Sequence, residues 1–277
     1  MKDIKTYITY FDDNQIDEYG LVEDENTVLF KGNDTNYSGD SINNLNTFYC
    51  ELCTMYYVWK NNLKSDYVVF KQYRRPFDWE SVGKLPEKGE VICYEPLDLS
   101  QIPVIYHYAV YHGKKRAYDL LSIIKKLFGE NSDDLKYFQR GKVLYTNNTF
   151  AMMWDDFCKM CEYVFGITNE IEKFYKLNSS PTNYMLNAKK YTEDGRYDYQ
   201  THWMAYIGER LVSSYIATKM KPITIDRLEG NGFFKPYETK QESSHRSRDY
   251  PARHRHRLVL TNGRAGARKA LTRRGPH

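Results

Sequence analysis

Two adjacent arginines, Arg74 and Arg75, are the residues whose type and position most clearly indicate chemistry. They follow an apolar segment, DYVVF, in the stretch DYVVFKQYRRPFD, and residues 1–242 contain only seven arginines. Paired guanidinium groups match the oxygens of a diphosphate, and Tyr73 beside them offers an aromatic face. The alternative is that both arginines are ordinary surface residues. On the first interpretation, this stretch binds an anionic ligand.

A polar loop between residues 34 and 46 is the second candidate. It contains Asp34 and Asp40, whose carboxylates could bind a ribose or a cation, or accept a proton. The alternative is that they are ordinary turn acids beside Gly39.

Two Cys-x-x-Cys pairs have the spacing of zinc ligands: Cys50 with Cys53, and Cys158 with Cys161. Both pairs lie in segments predicted to be amphipathic helices, with 104 residues between the pairs and without the glycine-rich turns of a zinc knuckle. We therefore interpret them as small apolar residues and expect reduced thiols. The chain has no P-loop, paired-glycine dinucleotide motif, GxSxG elbow or HExxH helix, which disfavours those reaction classes.

The net charge of +4 averages two unlike pieces of a 277-residue chain. Residues 243–277 hold nine arginines and one lysine against one acid, a net charge of +9, which leaves −5 for residues 1–242. The tail is rich in Arg, Ala and Gly, whereas the body, residues 1–242, is rich in Lys, Tyr and Asn. We expect a 1–242 domain followed by an Arg-rich tail that is disordered or of separate coding origin. The functional alternative is a basic arm that binds nucleic acid.

The elements that must position these residues alternate between strands and helices. Apolar runs predict strands at 5–11, 27–30, 66–70 and 91–94, and a further interrupted strand over 143–153. Three- and four-residue spacings predict helices at 47–61, 117–128, 155–165, 169–177 and 203–219, the last stopped by Pro222. This alternation predicts an α/β fold with a mostly parallel sheet and a helical C-terminal half. Ligands in such sheets usually bind at the carboxyl ends of the strands, where Arg74 and Arg75 are expected.

No apolar run reaches the roughly 20 residues of a membrane helix, and acids stand where a signal peptide would be apolar. We expect a cytoplasmic protein without stable membrane insertion, peripheral to the inner face of the membrane where its acceptor is lipid-linked.

Five short motifs in order carry a family resemblance. They are SGDSINN, YCELCTMYYVWKN with SDYVVFKQYRRPFD, HYAVYHGKKRAYDL, TNNTFAMMWDDFCKMCEYVFGI and YIGERL, between residues 5 and 217. Together they resemble a bacterial family of glycosyltransferases from capsular and exopolysaccharide gene clusters, long catalogued as a domain of unknown function. This sequence departs from the family pattern at Gln72, Cys53, His107 and His202, where the family usually has His, Thr, Gln and a nearby Arg.

The resemblance implies a GT-A-like nucleotide-binding sheet and transfer of a sugar from a nucleotide-diphosphate donor to a cell-surface polysaccharide. Some members are associated with galactofuranose, so UDP-galactofuranose is the first expected donor and an oligosaccharide or lipid-linked glycan the acceptor. The enzyme would be a hexosyltransferase of the galactofuranosyltransferase kind.

Roles can then be assigned by the chemistry of the reaction, which needs charge on the diphosphate leaving group and a proton acceptor. Glu209 is the first candidate base and Asp40 the second catalytic candidate; a helix-surface ion pair with Arg210 is the alternative for Glu209. The remaining candidates fall into two groups: donor-binding Tyr73, Arg74, Arg75, Asn43, Asp34 and Asp78, and sugar- or acceptor-binding Tyr108, His112, Asn148 and Arg210. A structural role is an equal alternative for His112, and Asp34 and Asp78 are competing bases.

No DxD carboxylate pair follows the DYVVF strand. We therefore expect guanidinium charge to take over some or all of a metal's role, so that no cofactor is required; Mn²⁺ or Mg²⁺ remains the alternative. The competing function is a non-catalytic module that binds glycan, or nucleic acid through the tail. We expect no nucleic-acid binding through the body. Transfer of a phosphoryl derivative is a third alternative, because it would use the same nucleotide-binding surface.

Overall fold

The computed structural model describes residues 2–191 and 200–226. The described strands are β1 (Ile4–Tyr10), β2 (Thr27–Lys31), β3 (Tyr67–Gln72), β4 (Glu90–Tyr94), β5 (Leu97–Asp98), β6 (Val143–Leu144), β7 (Phe150–Met153) and β8 (Lys221–Ile225). The described helices are α1 (Asn14–Tyr19), α2 (Asn46–Tyr49), α3 (Leu52–Lys60), α4 (Val104–His112), α5 (Lys114–Phe128), α6 (Asp133–Arg140), α7 (Trp154–Tyr175), α8 (Pro181–Lys190) and α9 (Trp203–Lys219). The arginine-rich tail, residues 243–277, lies outside the described residues.

A six-stranded sheet in the order β2-β1-β3-β7-β4-β8 forms the centre of the fold. β7 is antiparallel to both its neighbours, β3 and β4, and the other pairings are parallel. The expectation of an α/β fold with a mostly parallel sheet and a helical second half is confirmed.

The central strands are buried on both faces, as their continuous apolar runs predict. Val68 and Phe70 of β3 point into the main core with the helices, whereas Val69 belongs to a smaller cluster on the other face. Phe77 and Trp79, from the loop after β3, cover that second face. The same loop therefore carries Arg74 and Arg75 at the sheet edge and covers the second face of the sheet.

Several element boundaries differ from the sequence prediction. The helix expected over 47–61 is two helices, α2 and α3, because a turn at Cys50 interrupts the helical backbone. The two helices expected over 155–177 are the single helix α7, since Gly166 and its neighbours continue the helical backbone. The strand expected over 143–153 is two strands in different sheets, β6 and β7. Pro222 follows the end of α9 and lies in the edge strand β8, where its missing N–H is tolerated.

Candidate functional site

A cleft of about 340 Å³ lies at the carboxyl ends of the parallel strands. Gln72, Arg74 and Arg75 line it from the end of β3, and Asn147 and Asn148 line it from the start of β7. β7 is antiparallel to β3, with Phe70 opposite Phe150, so the residues that precede β7 lie beside those that follow β3. The pairing register thus brings two polar segments 73 positions apart in sequence to one edge.

The other wall of the cleft comes from helices. The turn between α2 and α3 provides Cys50 and Glu51. The N-terminal half of α9, with its N-cap, provides His202, Tyr206 and Glu209. The remaining lining residue is Ala205.

Gly208 explains how α9 comes so close to α3. A Cβ at Gly208 would lie 2.1 Å from Cδ1 of Leu52, a residue that is fully buried in the core. Only glycine allows this contact, which places Glu209 in the same cleft as Glu51, next to Leu52 in sequence.

Three of the eight described non-glycine residues with positive φ line the cleft. Cys50 has φ 48° and ψ −126°, a conformation that glycine normally supplies, and Asn147 and Asn148 have φ of 73° and 48°. Asparagine tolerates the left-handed region better than most residues, whereas cysteine does not. Observed outliers of this kind are common at functional sites.

The two carboxylates of the cleft have different surroundings. Glu51 Oε1 accepts a hydrogen bond from Gln72 Nε2 at 2.9 Å, and Gln72 Oε1 accepts one from Arg75 Nε at 3.1 Å. Burial raises the pKa of Glu51; the charge of Glu209 also raises it, and Arg74 and Arg75 oppose the shift. Glu51 therefore orients Arg75 through the Gln72 amide and favours its own protonated form.

Glu209 is held by groups that suit a carboxylate. Its Oε1 accepts a hydrogen bond from the backbone N–H of Asn147 at 2.7 Å, and its Oε2 lies 3.6 Å from Nη1 of the buried Arg210. The predicted pairing of Glu209 with Arg210 is therefore present, but it lies at the cleft and not on an exposed helix surface.

His202 adds an imidazole to the cleft. Its Nδ1 lies 2.6 Å from the carbonyl oxygen of Thr47, which can only accept, so Nδ1 carries the proton of this hydrogen bond. Cys50 Sγ lies 3.5 Å from the same Nδ1. Burial raises the pKa of the Cys50 thiol well above its ordinary value.

The arginines present different surfaces. Arg74 is exposed, and its guanidinium carbon lies 5.8 Å from the centroid of the Tyr73 ring. Arg75 is half-buried and is held by Gln72. One exposed and one anchored guanidinium group at a sheet edge suit the capture and fixing of a diphosphate.

Four of the candidate residues, Arg74, Arg75, Asn148 and Glu209, share the cleft. Asn148 is largely buried, and its Oδ1 has no hydrogen-bond partner among the described residues. Three others lie in the polar loop, outside the cleft lining: Asp34 binds Asn36, Asp40 accepts a hydrogen bond from Tyr56, and Asn43 donates one to the Asp34 carbonyl. Asp78 is exposed at the start of a short 3₁₀ turn.

Tyr108, His112 and Arg210 form a buried layer beneath the cleft. Tyr108 stacks on His112 at 4.7 Å between ring centroids, and the Arg210 guanidinium lies 5.3 Å from the Tyr108 ring. Arg210 Nη2 also lies 2.8 Å from His107 Nδ1 and donates to it. Burial, followed by the charges of Arg210 and Arg116, lowers the pKa of His112 to about 2, so its ring is neutral. These residues are placed to support the cleft wall, and their predicted contact with sugar remains a prediction.

Glu51 and His202 are cleft residues absent from the predicted set. A signal for Glu51 is present in the sequence: it lies three residues after Phe48 and four before Met55, on the core-facing stripe of an apolar segment. A charged residue in that stripe requires a partner, which Gln72 supplies.

In the described ranges, no three His, Cys, Asp or Glu side chains are grouped so that they could hold a metal ion. All five cysteines are free thiols. No helix of the described part of the chain is long and apolar enough to cross a membrane.

The fold and the cleft together define a mixed α/β protein with a polar, arginine-bearing site at the carboxyl edge of its sheet. The chain belongs to the family described as a domain of unknown function, DUF4422, which matches residues 20–220. The resemblance in the motifs predicted membership of a family catalogued in this way, and to that extent it is confirmed.

One solved structure is similar to this chain: the apo structure of the WbbM bifunctional glycosyltransferase, with a TM-score of 0.59 and 20% sequence identity. The match covers 81% of this chain and 45% of that protein, so this chain spans less than half of the length of its neighbour. The likeness shows that the α/β fold predicted here is shared with a glycosyltransferase structure. No curated protein matches the chain.

Proposed function

We propose that this protein is a glycosyltransferase that moves a sugar from a nucleotide-diphosphate donor to a cell-surface glycan. The observation that carries the proposal is the cleft at the carboxyl edge of the sheet, where Arg74 and Arg75 face two carboxylates, Glu51 and Glu209. The DUF4422 family match and the fold shared with a bifunctional glycosyltransferase support the same reaction class. The motif resemblance makes galactofuranose the first sugar to test and UDP-galactofuranose the first donor.

The chemistry of the cleft fits such a transfer. Arg74 and Arg75 neutralise the charge that develops on the departing nucleotide diphosphate. Glu209 accepts the proton of the attacking acceptor hydroxyl. Its carboxylate is oriented by the Asn147 N–H and by Arg210 for this role. Glu51 has an indirect role, because its carboxylate positions Arg75 through the Gln72 amide.

A thermal-shift experiment on the full chain tests donor binding. A ligand that binds only the folded state raises the melting temperature by mass action. UDP and UDP-galactofuranose are expected to raise it in the wild type, and the double variant Arg74→Ala/Arg75→Ala is expected to lose the shift. Lys114→Ala, an exposed lysine at the start of α5, is the control for lost positive charge. No shift with any nucleotide in the folded wild type would contradict the proposal and favour a non-catalytic glycan-binding module.

Removal of metal tests the role given to the arginines. Excess chelator is expected to leave both the nucleotide shift and sugar transfer intact, because the guanidinium groups carry the charge that a metal would otherwise supply. Absolute dependence on added Mn²⁺ or Mg²⁺ would overturn this part of the proposal.

A further inference from the structure

A second cavity, of about 440 Å³, lies between α3 and α7. Tyr56, Trp59 and Lys60 line it from α3, and Phe165, Gly166 and Glu172 line it from α7. Tyr49 also lines this cavity, while the next residue, Cys50, lines the cleft. We propose that this second cavity binds sugar residues of the glycan acceptor, away from the residue that receives the new sugar. The inference rests on the proposed function for the identity of its ligand.

The aromatic residues form one continuous surface. The rings of Trp59 and Phe165 stack with centroids 5.6 Å apart and planes at 9°, and Tyr56 meets Phe165 edge-on at 5.1 Å. The exposed Lys60 places its ammonium group 4.1 Å from the centroid of Trp59. The electron-rich face of Trp59 is therefore one that attracts positively polarised groups, and the C–H bonds of a sugar ring are such groups.

Polar acceptors lie at the edge of this surface. Glu172 is fixed there by the hydroxyl of the buried Tyr184, which donates to Oε1 at 2.6 Å, and by Ser179 Oγ at 3.1 Å from Oε2. Glu162 and Asn169 are exposed on the same side of α7. Carboxylate and amide oxygens accept hydrogen bonds from sugar hydroxyls. Two acids against the single Lys60 in this lining disfavour a phosphate or a nucleic acid, which leaves a saccharide as the best match.

Gly166 leaves one wall of this cavity open. It lies in the middle of the 22-residue helix α7, where glycine weakens a helix relative to alanine. It is exposed, and a Cβ at this position would meet no atom within 4 Å, so packing does not require glycine there. A larger side chain at this position would therefore project into the cavity beside Phe165.

Binding of short glycans to the full-length protein tests the proposal. The probes are galactose oligosaccharides of one to six units, in furanose and pyranose forms, measured by saturation-transfer NMR and calorimetry. Gly166→Gln places a good helix former in the cavity and is expected to weaken binding by at least about tenfold. The control is Lys173→Gln, at an exposed position of the same helix outside the lining. Trp59→Leu is a second variant, with loss of binding also expected.

Glycan binding that is unchanged in both Gly166→Gln and Trp59→Leu would overturn the proposal, as would a wild type that binds none of the oligosaccharides. The UDP thermal shift, measured on the same samples, separates this result from the proposed function. A retained UDP shift without glycan binding overturns the second site alone. The opposite result is a wild type that shows no UDP shift but binds glycan, with binding lost in Gly166→Gln. That result supports the second site and overturns the donor site.

Discussion

Glu51 shows how one half-buried side chain can position another residue of the cleft. Its carboxylate holds the Gln72 amide, whose oxygen in turn holds Arg75. Burial of the carboxylate favours the protonated form, in which it still accepts the hydrogen bond from Gln72. The residue therefore costs stability when it is ionised and contributes orientation in either form.

The pH dependence of stability follows from this raised pKa. Over the range between the ordinary glutamate pKa of about 4.3 and the higher folded value, Glu51 is protonated in the folded protein and ionised in the unfolded chain. The folded state binds more protons there, so stability falls as pH rises, and the full penalty is present above the folded pKa.

We expect Glu51→Gln to raise the melting temperature at pH 7 and to have no such effect near pH 3, where the wild-type carboxyl is protonated in both states. Thermal unfolding across pH 3 to 8 checks this. Glu209→Gln, measured in parallel, serves as the comparison because it replaces the other cleft carboxylate. A Glu51→Gln variant that is less stable than the wild type at pH 7 would contradict the account of Glu51.

At the scale of elements, two helical glycines have opposite reasons to be present. Gly208 lets α9 approach Leu52, and Gly166 leaves a cavity open on α7. The same substitution at the two positions should therefore change stability in opposite directions.

Gly166→Ala is expected to stabilise the protein by roughly 0.5–1 kcal/mol, because alanine restricts the unfolded chain and favours the helix. Gly208→Ala is expected to destabilise it by about 1–3 kcal/mol, because the added methyl group overlaps the buried Leu52. Urea denaturation of both variants measures the two changes. Stabilisation of both variants would show that helix propensity, and not local packing, decides the outcome, and destabilisation by Gly166→Ala would contradict the open space assigned to that position.

The sequence allows prediction of elements whose periodicity is uninterrupted and fails where tertiary contacts decide. Strand β3, helix α9 and the placement of Arg74 and Arg75 after a buried strand follow directly from residue pattern. The turn at Cys50 could not be predicted, because neither Gly nor Pro marks it and a strained cysteine occupies the position. The residue after that turn, Glu51, lines the cleft and is absent from the predicted site. Residue type and the family resemblance of the polar loop assign Asp34 to the donor site and Asp40 to catalysis, whereas the structure places both outside the cleft lining.

At the scale of the whole molecule, the two parts of the chain carry net charges of opposite sign, so we expect them to bind different ligands. Residues 1–242 carry a net charge of −5 and residues 243–277 carry +9, so attraction to polyanions belongs to the tail. We expect a protein truncated after residue 242 to lose retention on heparin at low salt and to keep its full thermal shift with UDP. Retention of the truncated protein on heparin would contradict this division, since it would require a basic surface on the body.

The central claim is that the cleft transfers sugar from a nucleotide donor, and release of UDP from a panel of UDP-sugars that includes UDP-galactofuranose tests it most directly. The full-length protein is expected to release UDP in the presence of a galactose oligosaccharide. Glu209→Gln should lower that rate by roughly 10²- to 10⁴-fold, the usual contribution of a general base, while the UDP thermal shift is unchanged. A wild type that binds UDP but releases none from any donor, or a Glu209→Gln variant with the wild-type rate, would contradict the account.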